Sequence, residues 1–282
     1  MGGVVPELPE VETLRIDLEN EIVGRKITAV EVKAARTVRR HRNRKEFGKR
    51  LLTVRVAGIE RRGLYLLVSL DSGEALVSAL GGSGRLRRER SSAPIEPGTD
   101  AVITFAVGGG LRYLNLPVEG ELFVAGKAEL EDLGEPRPGA IDPLTDAFTW
   151  QSLGTALLSR HARLRPLLVG GELIGGIGPI YADEILWLSG LCWDRDSATL
   201  SPQEIRRLYR AIQEVVHEAV RLRGTSVGED LWLDVHGNKG EYQNQLNAYQ
   251  REGQPCRRCR TPLVLEELDQ ADRTYFCPRC QS

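Results

Sequence analysis

Val11, Leu14, Leu18 and Ile22 recur at helical spacing, which predicts an amphipathic helix over 11–21 with Gly24 as its stop. The period then changes to that of strands. Residues 26–33, 52–61, 65–70, 75–80, 101–107, 111–114 and 121–124 alternate or run apolar for strand length, with Asp71-Ser72-Gly73 and Gly108-Gly109-Gly110 as turns. Repeated strands joined by short turns predict a sandwich or a barrel. Around 133–143 the composition shifts to Gly, Pro and acids, as in a linker between domains. Beyond it the pattern is helical over 149–159, 179–191 and 201–222, the last opening on Ser201-Pro202-Gln203-Glu204, a hydroxyl cap followed by an acid in the first turn. The chain closes in a cysteine-rich hairpin.

A chain of 282 residues with 41% hydrophobic content buries a substantial core, and its length suggests two domains. No apolar run reaches the roughly 18–20 residues of a membrane span, and no basic flank precedes an apolar core at the start. A cytoplasmic protein without a membrane partner is expected. A net charge of -1 and a pI near 6.5 do not by themselves indicate a nucleic-acid binder. Distribution alters that picture: residues 36–50 carry eight Lys or Arg against the single acid Glu46, while acids gather at Glu129, Glu131, Asp132 and Glu135. Taken alone, such a run reads as a solvated face.

Cys256-x2-Cys259 and Cys277-x2-Cys280, with 17 residues between the pairs, have the spacing of a four-thiolate zinc site on a β-hairpin. Arg257, Arg258, Arg260, Arg273 and Arg279 give that hairpin a positive face suited to phosphates, and Cys192, in an apolar stretch, reads as buried filler. The other chemically loaded stretch is Pro6-Glu7-Leu8-Pro9-Glu10-Val11-Glu12. A proline at a mature N-terminus is a secondary amine; with a pKa near ~8 it is partly neutral and nucleophilic at pH 7. Glu7 beside it is placed to move protons. Pro9 suits a first helical turn, where its missing N–H costs nothing.

With these motifs the chain resembles the formamidopyrimidine-DNA glycosylase and endonuclease VIII family, enzymes that excise oxidised bases and nick the backbone. The resemblance implies an α+β multidomain fold. Residues 1–132 would form an N-terminal β-sandwich with a leading helix, 133–148 a linker, 149–245 a helix-two-turns-helix DNA-binding domain and 246–282 a zinc-finger β-hairpin. It also implies a bifunctional DNA glycosylase with AP lyase activity in base excision repair, in which Pro6 is the Schiff-base nucleophile and Glu7 the catalytic acid. Ile177-Gly178-Pro179-Ile180-Tyr181-Ala182-Asp183-Glu184 is similar to the family signature whose helix start faces a DNA phosphate. Gly178, Ile180 and Tyr181 are therefore expected at DNA, with Arg61, Arg62, Arg251 and Arg273 as further DNA-binding residues. One structural Zn2+ on Cys256, Cys259, Cys277 and Cys280, damaged or abasic DNA as partner and a monomeric state complete the expectation.

Departures from the family pattern fall on functional positions. Five residues precede Pro6, and an internal proline nitrogen is an amide without nucleophilicity. Only six of 38 basic residues are lysine, a bias of GC-rich genomes where GTG often initiates, so Val5 is a candidate start that would leave Pro6 terminal. Leu64 stands where the family has a lysine, Gly82 where it has a methionine, and Asn115-Leu116-Pro117-Val118-Glu119-Gly120 where it has arginine and phenylalanine wedges. Pro179 replaces a phosphate-binding asparagine. The finger loop is one residue longer, which puts Asp272 in the arginine register with Arg273 beside it. Two functions follow as alternatives: the enzyme, and a catalytically degenerate DNA-binding protein that keeps the glycosylase fold.

Overall fold

The computed structural model describes residues 6–82, 84–115, 120–134, 137, 140–228, 231–268 and 272–282. It divides into two compact units, Met1–Glu135 with Arg223–Glu241, and Pro136–Leu222 with Tyr242–Ser282.

In the first unit, helix α1 (Leu8–Ile22) is followed by β1 (Ile27–Val32), α2 (Arg44–Leu51) and seven further strands, then the short α3 (Lys127–Glu131). The strands are β2 (Val56–Arg62), β3 (Tyr65–Leu70), β4 (Ala75–Ala79), β5 (Gly84–Glu89), β6 (Thr99–Phe105), β7 (Gly110–Asn115) and β8 (Glu121–Ala125). They form two four-stranded antiparallel sheets, β1-β6-β7-β5 and β2-β3-β4-β8. Of the two architectures that the strand pattern allowed, the chain adopts the sandwich. Its core takes Leu66, Val68, Leu76, Leu122 and Val124 from one sheet and Ile103, Phe105, Leu111 and Tyr113 from the other, with the apolar stripe of α1 packed in. The opposite face of the second sheet is also covered: Leu67, Val77, Phe123 and Ala125 cluster with Leu133. Burial on both faces explains why β3, β4 and β8 read as continuous apolar runs rather than as alternation.

Three elements of this unit, α2, α3 and β5, are not among those the pattern predicts. The basic run folds in part as α2, where the side chain of Asn43 caps Glu46 N–H at 2.9 Å and Phe47, Gly48 and Leu51 are buried. Four of its arginines are held by acids of the same unit. Arg39 and Arg40 share Glu121, Arg50 pairs with Glu74 at 2.6 Å, and Arg36 meets Asp100 at 3.4 Å. The strand Gly84–Glu89 escaped the pattern because three arginines occupy it. Arg88 is satisfied by Glu21 at 2.9 Å and by the carbonyls of Gly108 and Gly110 at 2.8 and 2.7 Å.

The segment Arg223–Glu241 belongs with the sandwich rather than with the helices that precede it. Trp232 and Val235 are buried in the sandwich core, and Arg88 N–H bonds to Val235 O at 2.7 Å. Arg223 bridges Asp17 and Asp234 at 2.6 Å each.

The second unit is built from α4 (Trp150–Leu158), α5 (Leu164–Val169), α6 (Pro179–Ser189) and α7 (Pro202–Arg221), followed by the hairpin β9 (Val264–Glu267) and β10 (Arg273–Phe276). The apolar stripe of α7, Ile205, Leu208, Ile212, Val215 and Val216, is buried, and its N-terminus carries the expected box, Glu204 N–H to Ser201 Oγ at 3.3 Å and Ser201 N–H to Glu204 Oε2 at 2.8 Å. None of the described helices is long and apolar enough to cross a membrane.

Candidate active site and metal centre

Within the first unit, Pro6 and Glu7 lie at the head of α1, and both are buried. Pro9 occupies the first turn, as its missing donor favours. Glu10 is 2% exposed and joins two distant backbones. Its Oε2 accepts Glu7 N–H at 3.0 Å, and its Oε1 accepts Thr225 N–H at 2.8 Å. Gly224 makes the second bond possible: its φ of +85 lies in the left-handed region, and a Cβ there would lie 2.7 Å from Glu10 Oε1. Beyond it, the Trp232 indole N–H donates to Arg223 O at 2.9 Å, and Ser226 Oγ takes Gly240 N–H at 2.9 Å while donating to Trp232 O at 2.6 Å. The candidate nucleophile, its acid and the segment Arg223–Glu241 are thus tied through a single carboxylate.

Arg61 lies against the same helix. Its side chain is 4% exposed, and Nε donates to Glu12 Oε2 at 2.8 Å while Nη1 reaches Gly63 O at 3.1 Å. Strand alternation turns Arg62 the other way, to Leu130 O at 3.1 Å. Leu64, in the turn that follows, packs against the sandwich core. Asn115 is fully buried and brackets the next loop, with Oδ1 accepting Gly120 N–H at 3.1 Å and Nδ2 donating to Gly120 O at 3.3 Å. Leu116, Pro117, Val118 and Glu119, the expected wedge positions, lie outside the described residues.

In the second unit, Gly178 is the residue before α6 and Pro179 its first. Ala182 N–H bonds back to Gly178 O at 3.0 Å, so Ile180 and Tyr181 form the opening turn, where the helix dipole favours an anion. Both side chains are buried, Tyr181 against the Tyr242 ring at 5.5 Å, so what this turn offers an anion is backbone. The next two residues after Ala182 are carboxylates without solvent. Glu184 accepts the N–H groups of Asn247, Ala248 and Tyr249 at 2.8, 2.7 and 3.0 Å. Burial pushes its pKa up, against the pull of those donors. Its grip shapes the lead-in to the finger, where Arg251 bonds to Asn247 O at 2.9 Å and Gln254 Oε1 at 3.0 Å.

Asp183 points to the finger hairpin instead. Arg165, 1% exposed, donates to it at 2.9 Å, Thr274 Oγ1 at 2.8 Å and Tyr275 N–H at 3.0 Å. Burial raises its carboxyl to about 7 despite these donors. Sequence reasoning missed Arg165, and it placed Glu10, Asp183 and Glu184 in its motifs without giving them these roles. For the last two the signal was two acids inside the otherwise apolar run Ile180–Leu188, on a helix buried all round.

Cys256, Cys259, Cys277 and Cys280 bring their sulfurs within 4.8 Å of one another. A tetrahedron of Zn–S bonds of ~2.3 Å has edges of about 3.8 Å, so the four sulfurs are gathered near enough to close on one zinc. Around it, Trp187, Ala248 and Leu263 make an apolar shell with Cys256 and Cys277. Arg258 stacks 4.1 Å over the Trp187 ring and caps the end of α6 through Trp187 O and Leu188 O at 2.9 and 2.8 Å. Gln281 accepts Cys277 N–H at 2.8 Å.

A sandwich with a leading Pro-Glu helix, a glycine-led helix start and a four-cysteine finger define one protein class. Family models match each part in turn: the formamidopyrimidine-DNA glycosylase N-terminal domain over residues 5–116, its H2TH domain over 140–230, and the zinc finger found in FPG and IleRS over 253–282. The chain belongs to the formamidopyrimidine-DNA glycosylase family, and its four thiolates hold one structural zinc. It is 35% identical over 277 residues to the formamidopyrimidine-DNA glycosylase of Pelotomaculum thermopropionicum, covering 98% of this chain and 99% of the relative. With that of Salinispora arenicola it shares 39% over 280 residues, covering 98% and 96%. Among solved structures, the MutM (FPG) protein from Thermus thermophilus superposes with a TM-score of 0.84 at 31% identity, covering 98% of each chain. The Lactococcus lactis Fpg in complex with abasic-site DNA gives 0.87 at 29%, covering 98% and 99%.

Proposed function

We propose that this chain is a bifunctional DNA glycosylase and AP lyase acting on oxidised bases or abasic sites, with Pro6 as nucleophile. The amine attacks C1′ of the damaged deoxyribose and displaces the base, which leaves protonated. The nitrogen then loses its proton, and the C1′–O4′ bond breaks as O4′ takes a proton, opening the sugar to an iminium. Loss of a C2′ proton then expels the 3′-phosphate by β-elimination, and water releases the cleaved sugar from Pro6. Glu7, buried beside Pro6, shuttles the protons, and Glu10 holds the Glu7 backbone in place.

The observation that carries the reading is the intact head of α1, with Pro6, Glu7 and the Glu10 clamp, in a chain that matches this family over 98% of its length. The family match opening at residue 5 supports a native terminus at Pro6. Phosphates are met by the backbone at Gly178, Ile180 and Tyr181 and by Arg62, Arg251 and Arg273, while Arg61 acts by fixing its turn against Glu12. The place of action is the cytoplasm, where bacterial relatives keep their DNA.

Strand nicking tests this reading. A chain beginning at Pro6 is expected to nick a duplex with an abasic site, and Glu7→Gln to lower base excision by at least about 100-fold, the usual scale for a general acid. A chain that binds such a duplex but never nicks it is the degenerate DNA-binding protein instead.

A further inference from the structure

Four successive residues at the head of β10, Asp272 to Tyr275, are each held by the helical part of their own unit. Arg165 grips Asp272 with two nitrogens, Nη2 to Oδ1 at 3.1 Å and Nη1 to Oδ2, and the same guanidinium donates to Arg273 O. Thr274 Oγ1 and Tyr275 N–H donate to Asp183 at 2.8 and 3.0 Å. Asp272 and Thr274 therefore share the inward side of the strand, and alternation sends the Arg273 side chain, 57% exposed, to the other. Among the described residues it pairs there with Glu267, an exposed acid 3.5 Å away, a loose contact that a phosphate can displace. Because the side-chain period is two, a slip of one residue would exchange Asp272 and Arg273.

We propose that Asp272 is a positioning residue: its pairing with Arg165 sets the register of the finger hairpin, so that the Arg273 guanidinium faces a DNA backbone phosphate. The proposal rests on the reading that this chain binds DNA through its finger. It gives a reason why a longer finger loop can be tolerated, since a strand anchored at Asp272 keeps its phase. It also reverses a simple expectation. A carboxylate on a DNA-facing surface repels phosphate, so neutralising it should tighten binding; neutralising a carboxylate that holds an arginine in place should weaken it.

The test measures affinity of the zinc-loaded full chain for a duplex containing a tetrahydrofuran abasic analogue, across a range of salt. Arg273→Ala is expected to weaken binding by about 5- to 10-fold near 0.1 M salt and to lower the salt slope by about 1, the value of one phosphate contact. Asp272→Asn is expected to give the same two changes with its zinc content intact, and the double variant to be no weaker than Arg273→Ala alone. Tighter or unchanged binding by Asp272→Asn, or losses that multiply in the double variant, would overturn the proposal. If Asp272→Asn loses zinc, Asp272→Glu takes its place; it keeps the charge but shifts the anchor, so weaker binding supports the proposal and unchanged binding overturns it. Failure of the unmutated chain to bind the duplex at any salt would defeat the DNA reading itself, whereas binding with the wrong sign at Asp272 defeats only this inference.

Discussion

Glu10 accepts the N–H of Thr225 at 2.8 Å, across 215 positions of sequence, and with its other oxygen the N–H of Glu7 at 3.0 Å. The carboxylate thus fixes the candidate catalytic terminus to a segment that the chain reaches only after its helical unit has been made.

Glu10→Gln replaces one of these acceptors with a donor. Leaving a buried N–H opposed costs about 1–3 kcal/mol. The expected outcome is a lower melting temperature and a fall in nicking larger than the fall in DNA affinity. A variant with unchanged turnover would show that the clamp does not position Glu7.

The finger depends on its metal, because so small a hairpin has little core of its own. Cys277→Ser or a strong chelator is expected to remove the one zinc per chain, open the Trp187 and Cys256 cluster and abolish tight DNA binding. Metal analysis with tryptophan fluorescence reads both effects. A folded finger in zinc-free protein would contradict the assignment.

Asp183 gives a pH dependence of definite sign. Its carboxyl rises from 3.8 to about 7 on folding, so between those values the folded chain holds a proton that the unfolded chain releases. Its contribution to stability therefore falls as pH rises through that window and is flat above it. Melting temperatures of the chain and of Asp183→Asn, compared at several pH values, should show the unmutated protein losing ground to the variant from about 4 to about 7. A gap that moves in its favour with rising pH would mean that Arg165 holds Asp183 ionised throughout.

Much of the fold was legible because the apolar residues kept one period for the length of each element. The stripe of α1 and the paired runs of β3 and β4 are examples, and the four cysteines declare themselves by spacing. Charge hid the rest. The three arginines of β5 and the basic run over α2 find their partners, Glu21, Glu74 and Glu121 among them, only after folding. Nor does local pattern show that Trp232 and Val235 return to the sandwich, since a short apolar run in a loop carries no address. Asp183, Glu184 and Glu10 are ordinary acids in sequence and become organising groups only where burial strips their water.

The positions expected to fill the space of an extruded base offer little to insert. Gly82 has no side chain, and Pro117 and Val118, outside the described residues, are small. Extrusion costs a few kcal/mol, and a shortfall of about 2–3 kcal/mol lowers productive binding by about 30- to 150-fold. Nicking is therefore expected to be faster on abasic sites, bubbles and single strands than on an oxidised purine paired in duplex. Equal rates on one lesion in paired and bubble contexts would mean that other side chains act as wedges.

The central claim is that the Pro6 nitrogen becomes a free amine and forms a covalent bond to the sugar. Borohydride trapping on an abasic-site duplex addresses it directly, because only an imine or iminium is reduced to a stable adduct. A chain beginning at Pro6 is predicted to give a protein–DNA adduct whose attachment maps to Pro6, and the chain that retains residues 1–5 to give none. An adduct of equal yield from both chains, or none from the chain that begins at Pro6, would contradict the account.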